Sequence, residues 1–366
     1  MLLCFSCFPK YACIRDPSTP PIAKMILITK ARRYQTGRLN LRTICLLACL
    51  FWPFASFAES VPKGLIGDLS LILSTNEPAW LKVEIKDGEP VVHMRVHVQS
   101  AGPHKIIEFK NKRLTFPVKI KREGKDGPKV TTNTVTVGLK NGKLDGIIVN
   151  ESLEKPYDRI TFTGKKFPSM PDRPDLSKVR FGHPVSLFNG KDLTGWRLYD
   201  SKKKNGWRAE GGMLVNDTPK TDFGSTGSYG NLQTEAVFDD FWLHIEFLIE
   251  GNRNSGVYLR GMYEAQVVDR DSRMQGLQGV GSIFGRIAPS IQAGKQPGEW
   301  QTYDLTLVDR HVTVVLNGVK VVDNQPVEGP TGGAVHTDPT VPGPIHLQGD
   351  HTSVKYKNIY LAPVVR

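Results

Sequence analysis

Short runs of alternating apolar and polar residues recur along most of the chain, and turn dipeptides separate them. This pattern predicts β-strands, because successive side chains of a strand point to opposite faces. Residues 241–249 show it most clearly, since one face of that strand is wholly apolar (Phe241, Leu243, Ile245, Phe247 and Ile249). No amphipathic helix of four turns is recognisable beyond the first 60 residues. The sequence therefore predicts an all-β protein.

The predicted strands fall into two groups that a proline-rich segment separates. Residues 61–166 contain eight runs, with Asp87-Gly88 and Asn141-Gly142 as strong hairpin turns, and predict a small antiparallel β-domain of unknown role. Residues 167–184 carry four prolines and predict a semi-rigid linker. Residues 185–366 contain about a dozen further runs, which predict a jelly-roll sandwich of two sheets. Within them, the glycine-rich stretch 270–298 is expected to be a long loop that is either functional or disordered.

The N-terminus has the pattern of a secretory signal peptide. A basic stretch up to Arg42 precedes an apolar core at residues 44–58, which ends in small residues before Glu59. We expect cleavage after Ala58 and a secreted or periplasmic mature chain without a transmembrane helix. Met25 is an alternative start, because it would open a signal of ordinary length. Residues 46–49 resemble a lipoprotein box only weakly, since apolar sequence continues past Cys49.

Removing residues 1–58 changes the charge and the cysteine content of the mature chain. All five cysteines lie in this segment, so cysteine nucleophiles, disulfides and thiolate metal sites are excluded after cleavage. The net charge falls from +12 to +5, because the segment carries eight basic side chains and one acidic side chain. No row of stacking aromatics accompanies the basic residues, and nucleic acid is therefore not an expected partner. His93 and His97 could chelate a metal, but with no third ligand nearby a surface role is favoured.

Residues 254–269 combine strand alternation with side chains suited to binding. The alternation places Tyr258 and Arg260 on one face of a strand, and Glu264 and Gln266 on one face of the next. An aromatic ring, a guanidinium, a carboxylate and a carboxamide then lie over an apolar underside. Such a set suits a polyhydroxylated ligand, because planar hydrogen-bonding groups and aromatic faces bind sugars. The alternative interpretation is a solvated outer face of the sandwich.

The second region resembles the 3-keto-disaccharide hydrolase domain family, also described as 3-keto-glucoside 1,2-lyases and 3-keto-2-hydroxyglucal hydratases. The matching segments, in family order, lie at 186–196, 207–214, 254–260, 263–269, 298–303, 315–318 and 343–351. The resemblance covers about residues 186–363 and implies a concanavalin A-like jelly roll. Arg270-Asp271-Ser272-Arg273 departs from the family pattern, which leaves the substrate preference open.

The reaction that this resemblance implies begins with proton abstraction. A ketone at sugar carbon 3 acidifies the hydrogen on carbon 2, a base removes it, the group on carbon 1 leaves, and water then adds. Glu264 is the preferred base and Asp269 the second choice, while Arg260 would stabilise the enolate. A salt bridge between Glu264 and Arg260 is the structural alternative. His351 could donate a proton or bind a metal, or it could simply be exposed.

The remaining candidates would bind the sugar. Gln266 and Gln348 would bond its hydroxyl groups, Asn254 is a further binding residue, and Glu299 could be a third carboxylate. Tyr258 or Trp300 could stack on a ring, although a tryptophan in a sandwich often belongs to the core. No cofactor is certain. A calcium or manganese ion would take Glu264, Asp269, Gln348 and His351 as ligands, but their spacing has no compact metal signature.

Two other functions remain open at this point. A concanavalin-like sandwich can bind carbohydrate without catalysis, and the basic first region could hold an envelope-associated protein at a surface. Direct hydrolysis by two carboxylates would be a different reaction on the same fold.

Overall fold

The computed structural model describes residues 61–96, 102–106, 108–124, 127–150, 159–219 and 223–366. The predicted signal peptide, the five cysteines and His97 lie outside these residues. In the described ranges, no helical segment has the length and apolarity that crossing a bilayer requires.

Eight antiparallel strands form a sheet from the first region of the chain, and we call it the first sheet. Each of the eight predicted runs overlaps a strand of this sheet, but residues 105–106 of the run predicted at 105–109 are not in a strand, and residues 97–98 of the run predicted at 91–98 lie outside the described residues. The order across the sheet is β3-β2-β1-β8-β7-β6-β5-β4. The bounds are β1 (Gly67–Leu73), β2 (Pro78–Lys86), β3 (Glu89–Val96), β4 (Glu108–Lys110), β5 (Arg113–Gly124), β6 (Gly127–Lys140), β7 (Lys143–Asn150) and β8 (Arg159–Lys166).

One face of the first sheet packs its own apolar core, which includes Leu71, Leu81, Phe116 and Val135. A polar row crosses the other face. Lys165 lies opposite Ser70, Ser70 opposite Trp80, and Trp80 opposite Arg95 in adjacent strands. Strand partners share a face, so these four side chains project together.

The second region forms a sandwich of two antiparallel sheets, and the predicted all-β fold class with its jelly-roll sandwich is confirmed. One sheet has the order β12-β13-β22-β15-β18-β19-β20, with β9 and β10 also pairing with β22. Its strands are β9 (Arg180–Phe181), β10 (Val185–Ser186), β12 (Trp207–Glu210), β13 (Met213–Asn216), β15 (Phe241–Leu248), β18 (Trp300–Val308), β19 (His311–Leu316), β20 (Val319–Pro326) and β22 (Val354–Val365).

The other sheet of the sandwich has the order β11-β14-β21-β16-β17, and we call it the inner sheet. Its strands are β11 (Trp196–Leu198), β14 (Leu232–Thr234), β21 (His346–Leu347), β16 (Asn254–Leu259) and β17 (Tyr263–Val268). β9, β10 and β11 were not predicted from the sequence. The apolar face of β15 is buried between the two sheets, as its alternation predicts. Residues 270–298 form a loop whose one helical element is a 3-10 turn at Gly276–Gln278.

The proline-rich segment 167–184 runs along the sandwich instead of spanning open solvent. The Arg310 guanidinium donates to the Pro168 carbonyl at 3.0 Å, and the Asn324 amide donates to the Pro174 carbonyl at 2.8 Å. Its last residues form β9. The segment is therefore held at several points along its length.

The described residues from 61 to 366 form one compact unit, in which the polar row of the first sheet faces the sandwich. Lys165 forms an ion pair with Asp338, and the Ser70 and Thr337 hydroxyls lie 2.6 Å apart. The Arg286 guanidinium lies over the Trp80 ring, 4.3 Å from its centroid. The two apolar cores remain separate, and a polar seam joins them.

Candidate active site

A cavity of about 920 Å³ lies at this seam, between the first sheet and the inner sheet of the sandwich. The two parts of the chain contribute different chemistry to its wall. The first sheet contributes Trp80, Arg95 and Lys119, among others, and the sandwich contributes Asn254, Glu264, Gln266, Gln348, Asp350 and His351.

Four polar side chains form a row across the inner sheet. Gln233 lies opposite His346, His346 opposite Tyr258, and Tyr258 opposite Glu264, in four adjacent strands. Directly paired residues share a face of a sheet. The structure thus brings Tyr258 and Glu264 together, as the alternation in their strands predicts. Tyr258 itself is buried and does not line the cavity, so its ring is not placed to stack on a sugar.

Glu264 is a buried carboxyl at the end of this row, with 3% of its surface exposed. Gly256 makes the space for it, because a Cβ atom at that position would lie 2.2 Å from Oε1 of Glu264. Burial raises the pKa of Glu264 to about 8, although the Tyr258 hydroxyl and the Arg95 guanidinium favour the charged form. Such a carboxyl can hold or release a proton close to neutral pH.

The raised pKa of Glu264 predicts a stability cost at neutral and alkaline pH. The protonated form fits the fold better, so its contribution to stability is complete below the ordinary pKa of 4.5 and is lost as pH rises to about 8. Relative to Glu264→Gln, we expect the wild-type free energy of unfolding to fall by up to about 4 kcal/mol over that window. Denaturant titrations of both proteins at pH 5 and pH 8.5 measure the difference. An equal pH dependence in the two proteins would contradict the prediction.

Three amide side chains on the cavity wall share one arrangement. The side-chain nitrogen of Gln348 donates to the Tyr258 hydroxyl at 3.4 Å, that of Gln266 to the Gln278 carbonyl at 3.2 Å, and that of Asn254 to the Phe223 carbonyl at 3.0 Å. Each amide oxygen is buried and has no hydrogen-bond partner among the described residues. Buried polar atoms normally have partners. These oxygens are therefore suited to accept hydrogen bonds from a ligand.

Asp350 and His351 form a pair on the same wall. The Nδ1 atom of His351 lies 2.7 Å from Oδ1 of Asp350, and the Ser225 hydroxyl donates to Oδ2 at 2.6 Å. Burial opposes ionisation of Asp350, but the hydrogen bonds from His351 and Ser225 outweigh it and lower the pKa of this carboxyl. His351 lines the cavity, and its hydrogen bond to Asp350 holds the ring where it could exchange a proton with a ligand.

Arg260 lies outside the cavity, and the expectation that it shares a face with Tyr258 and Glu264 is wrong. β16 ends at Leu259, and Arg260 adopts a φ of 53° in the turn to β17. This left-handed conformation interrupts the alternation. Its guanidinium donates to the Pro339 and Val341 carbonyls at 2.9 and 2.8 Å. It also pairs with Asp239 at 3.1 Å, so the alternative partner Glu264 is excluded as well.

Asp269, Glu299 and Trp300 do not line the cavity either. Asp269 accepts the Asn252 and Asp271 amides, and Glu299 accepts the Gln296 amide. The Lys357 ammonium lies over the Trp300 ring, 4.0 Å from its centroid. These contacts hold the three side chains in local turns and on the sheet surface.

The four candidate metal ligands do not converge, because Asp269 lies apart from Glu264, Gln348 and His351. No group of three or more His, Cys, Asp or Glu side chains within the described ranges is placed to hold an ion. The cavity wall therefore does not fit the calcium or manganese site considered from the sequence.

Arg95, Trp80 and Asp350 line the cavity but were not predicted from the sequence. Asp350 lies two positions after Gln348 within the segment 343–351, and its proximity to a predicted residue was an available signal. Arg95 and Trp80 gave no signal of this kind, since they lie in a different region of the chain.

Comparison with known proteins gives one family match. Residues 183–362 match the family described as 3-keto-alpha-glucoside-1,2-lyase-like domain, which confirms the resemblance drawn from the sequence motifs. No curated protein matches the chain.

Several solved structures match about half of this chain. Two candidate glycosyl hydrolases of Parabacteroides distasonis are 23% and 21% identical, with TM-scores of 0.41 and 0.37. The matches cover 50% and 49% of this chain, and 94% and 98% of theirs. Porphyranase B of Zobellia galactanivorans is 9% identical with a TM-score of 0.31, over 55% of this chain and 100% of its own.

Proposed function

We propose that the 3-keto-alpha-glucoside-1,2-lyase-like domain at residues 183–362 makes this protein a carbohydrate-active enzyme that cleaves 3-keto-glycosides by elimination and hydration. The observation that supports this most is the buried Glu264 carboxyl on the cavity wall, with a pKa raised by burial to about 8. Perturbed carboxyls in clefts are typical of catalytic bases.

The reaction begins at carbon 2 of the oxidised sugar. Glu264 takes the proton from carbon 2, and the electron pair of that bond forms a double bond to carbon 3 as the ketone becomes an enolate. The enolate then re-forms the ketone, a double bond forms between carbons 1 and 2, and the glycosidic oxygen leaves with the bonding pair. Water adds a hydroxyl to carbon 1 and a hydrogen to carbon 2, which gives the free 3-keto sugar.

The environment of Glu264 suits this role. An ordinary carboxylate is a weak base for a carbon-bound proton, and raising the pKa toward 8 strengthens it while leaving part of the population ionised at neutral pH. A nearly dry site also strengthens each electrostatic interaction during charge development.

The unpaired oxygens of Gln348, Gln266 and Asn254 would accept hydrogen bonds from sugar hydroxyls. Because each amide nitrogen is anchored to the protein, the oxygens are fixed before the ligand arrives. Such preorganisation reduces the entropic cost of binding. His351, held by Asp350, is the proposed donor to the leaving glycosidic oxygen.

The place of action is also part of the proposal. The signal-peptide pattern at residues 1–58 supports a secreted or periplasmic enzyme that meets its carbohydrate substrate outside the cytoplasm.

The test compares a 4-nitrophenyl 3-keto-glucoside with the ordinary 4-nitrophenyl glucoside. We expect release of nitrophenol from the keto compound only. We also expect the carbon 2 hydrogen to exchange with deuterated solvent, which NMR can monitor. Hydrolysis of both compounds without exchange of the carbon 2 hydrogen would indicate direct glycoside hydrolysis and would contradict the elimination route. Tight binding of the keto sugar without turnover would indicate a carbohydrate-binding protein.

A further inference from the structure

We propose that Arg95 of the first sheet is a catalytic residue of this site, which binds the ketone oxygen on carbon 3 and holds its negative charge in the enolate. This inference rests on the proposed function and assigns the charge-stabilising role that the position of Arg260 leaves vacant. It extends the active site beyond residues 183–362, to a part of the chain that the family match does not cover.

Position is the first support for this role. Arg95 lies on the cavity wall together with Glu264, although 169 positions separate them along the chain. It belongs to β3 and lies directly opposite Trp80 of β2. The Arg286 guanidinium lies over the Trp80 ring. Gly329 packs so closely against Trp80 that a Cβ atom at position 329 would lie 2.5 Å from the indole. Packed neighbours therefore fix the strand pair that carries the guanidinium.

The unsatisfied state of the guanidinium is the second support. Arg95 is 4% exposed, and its Nε and Nη1 atoms have no hydrogen-bond partner among the described residues. Leaving such donors buried and unpaired costs free energy, because they have lost their water. Among the buried side-chain nitrogens of Arg310 and Arg260, only Nε lacks a partner, whereas Arg95 lacks a partner at two nitrogens. Each of these two nitrogens of Arg95 can donate a charge-assisted hydrogen bond to an oxygen of a ligand.

Charge is the third support. Burial lowers the pKa of Arg95 to about 10, while the nearby Glu264 carboxylate works against that shift. The guanidinium thus keeps its proton at neutral pH and acts only by charge and hydrogen bonding. During the first step, the electron pair of the carbon 2–hydrogen bond ends on the ketone oxygen, and the proton ends on Glu264. Arg95 gains and loses no proton.

Glu264 and Arg95 lie on opposite sides of the seam and act in the same reaction step. Ionised Glu264 and Arg95 attract each other before the reaction, and proton transfer moves the negative charge from the carboxylate to the substrate oxygen. A fixed cation near both positions stabilises the charge throughout. Lys119 also lines the cavity, but it is exposed, and water screens its charge.

The experiment uses the full chain with Arg95→Gln, Arg95→Lys and Arg95→Ala. For Arg95→Gln we expect kcat on the 3-keto-glucoside to fall about 100-fold, with a smaller change in KM. Carbon 2 hydrogen exchange should slow by the same factor, and Arg95→Lys should retain part of the activity. Millimolar guanidinium should restore part of kcat in Arg95→Ala but not in Glu264→Ala, because only the former lacks a cation.

Lys165→Gln is the matched control, since Lys165 lies in the same polar row and pairs with Asp338 but does not line the cavity. It should keep wild-type kcat. Unchanged kcat and exchange in Arg95→Gln, with an active wild type, would overturn the role of Arg95 and leave the proposed function standing. Equal losses of kcat in Arg95→Gln and Lys165→Gln would show that Arg95 acts only as a structural contact at the seam and would overturn its catalytic role. An inactive wild type would overturn both proposals.

Discussion

Replacing Glu264 by glutamine is expected to lower turnover of a 3-keto-glycoside by about 10³-fold or more. Glutamine keeps the volume and much of the hydrogen bonding of the side chain, but its amide cannot accept the proton from carbon 2. Since the cavity already accommodates a neutral Glu264, the variant should fold and should bind the keto sugar. Stopped assays of nitrophenol release measure turnover, and calorimetry measures the affinity for the keto sugar. Together they distinguish a loss of catalysis from a loss of binding.

The pH dependence of the wild type belongs to the same prediction. The base must be ionised, so kcat/KM should rise with pH through about 8, the value that burial gives to the pKa of Glu264. The residual rate of Glu264→Gln should not show this rise. Glu299→Gln serves as a control, because that carboxylate lies in a turn outside the cavity and should keep the wild-type profile. Full turnover by Glu264→Gln would refute its role as the base.

The second large effect concerns stability. Arg260→Ala is expected to lower the free energy of unfolding by about 3 kcal/mol. Its guanidinium is 3% exposed in an ion pair with Asp239, and its loss would leave the Pro339 and Val341 carbonyls without their donor. Denaturant unfolding measures the change, and kcat per folded molecule should stay close to wild type.

Arg173→Ala provides the comparison for Arg260→Ala. Arg173 also donates to a main-chain carbonyl, that of Asp323 at 3.2 Å, but its side chain is exposed. Its removal should change the free energy of unfolding by less than about 0.5 kcal/mol. If Arg260→Ala kept wild-type stability but lost turnover, the prediction from the sequence that Arg260 stabilises the enolate would be favoured instead.

The fold was largely predictable because strand alternation is a local signal. Each run predicted in residues 61–166 overlaps a strand, and the apolar face of β15 is buried as its sequence requires. The unpredicted strands β9, β10 and β11 have only two or three residues each, too few for a periodic pattern to emerge. The pairing of Tyr258 with Glu264 followed from the same local alternation across one hairpin.

The cavity was less predictable for two physical reasons. Arg260 continues the alternation in the sequence, but its positive φ turns the side chain away, and one residue of left-handed backbone is not visible in a hydrophobic pattern. Arg95 reaches the cavity only because the first sheet packs on the sandwich. Contacts between regions so distant in sequence depend on tertiary packing, and no motif in either region encodes them.

The docking of the first sheet has a consequence for the acidity of Glu264. The carboxyl is dry because side chains from both regions surround it, and contacts such as that of the Arg286 guanidinium with the Trp80 ring keep the regions together. Separating the regions would admit water and return this group to the behaviour of an ordinary surface glutamate. The basicity of Glu264 thus depends on how the two regions of the chain pack together, and side chains far from any substrate help to set it.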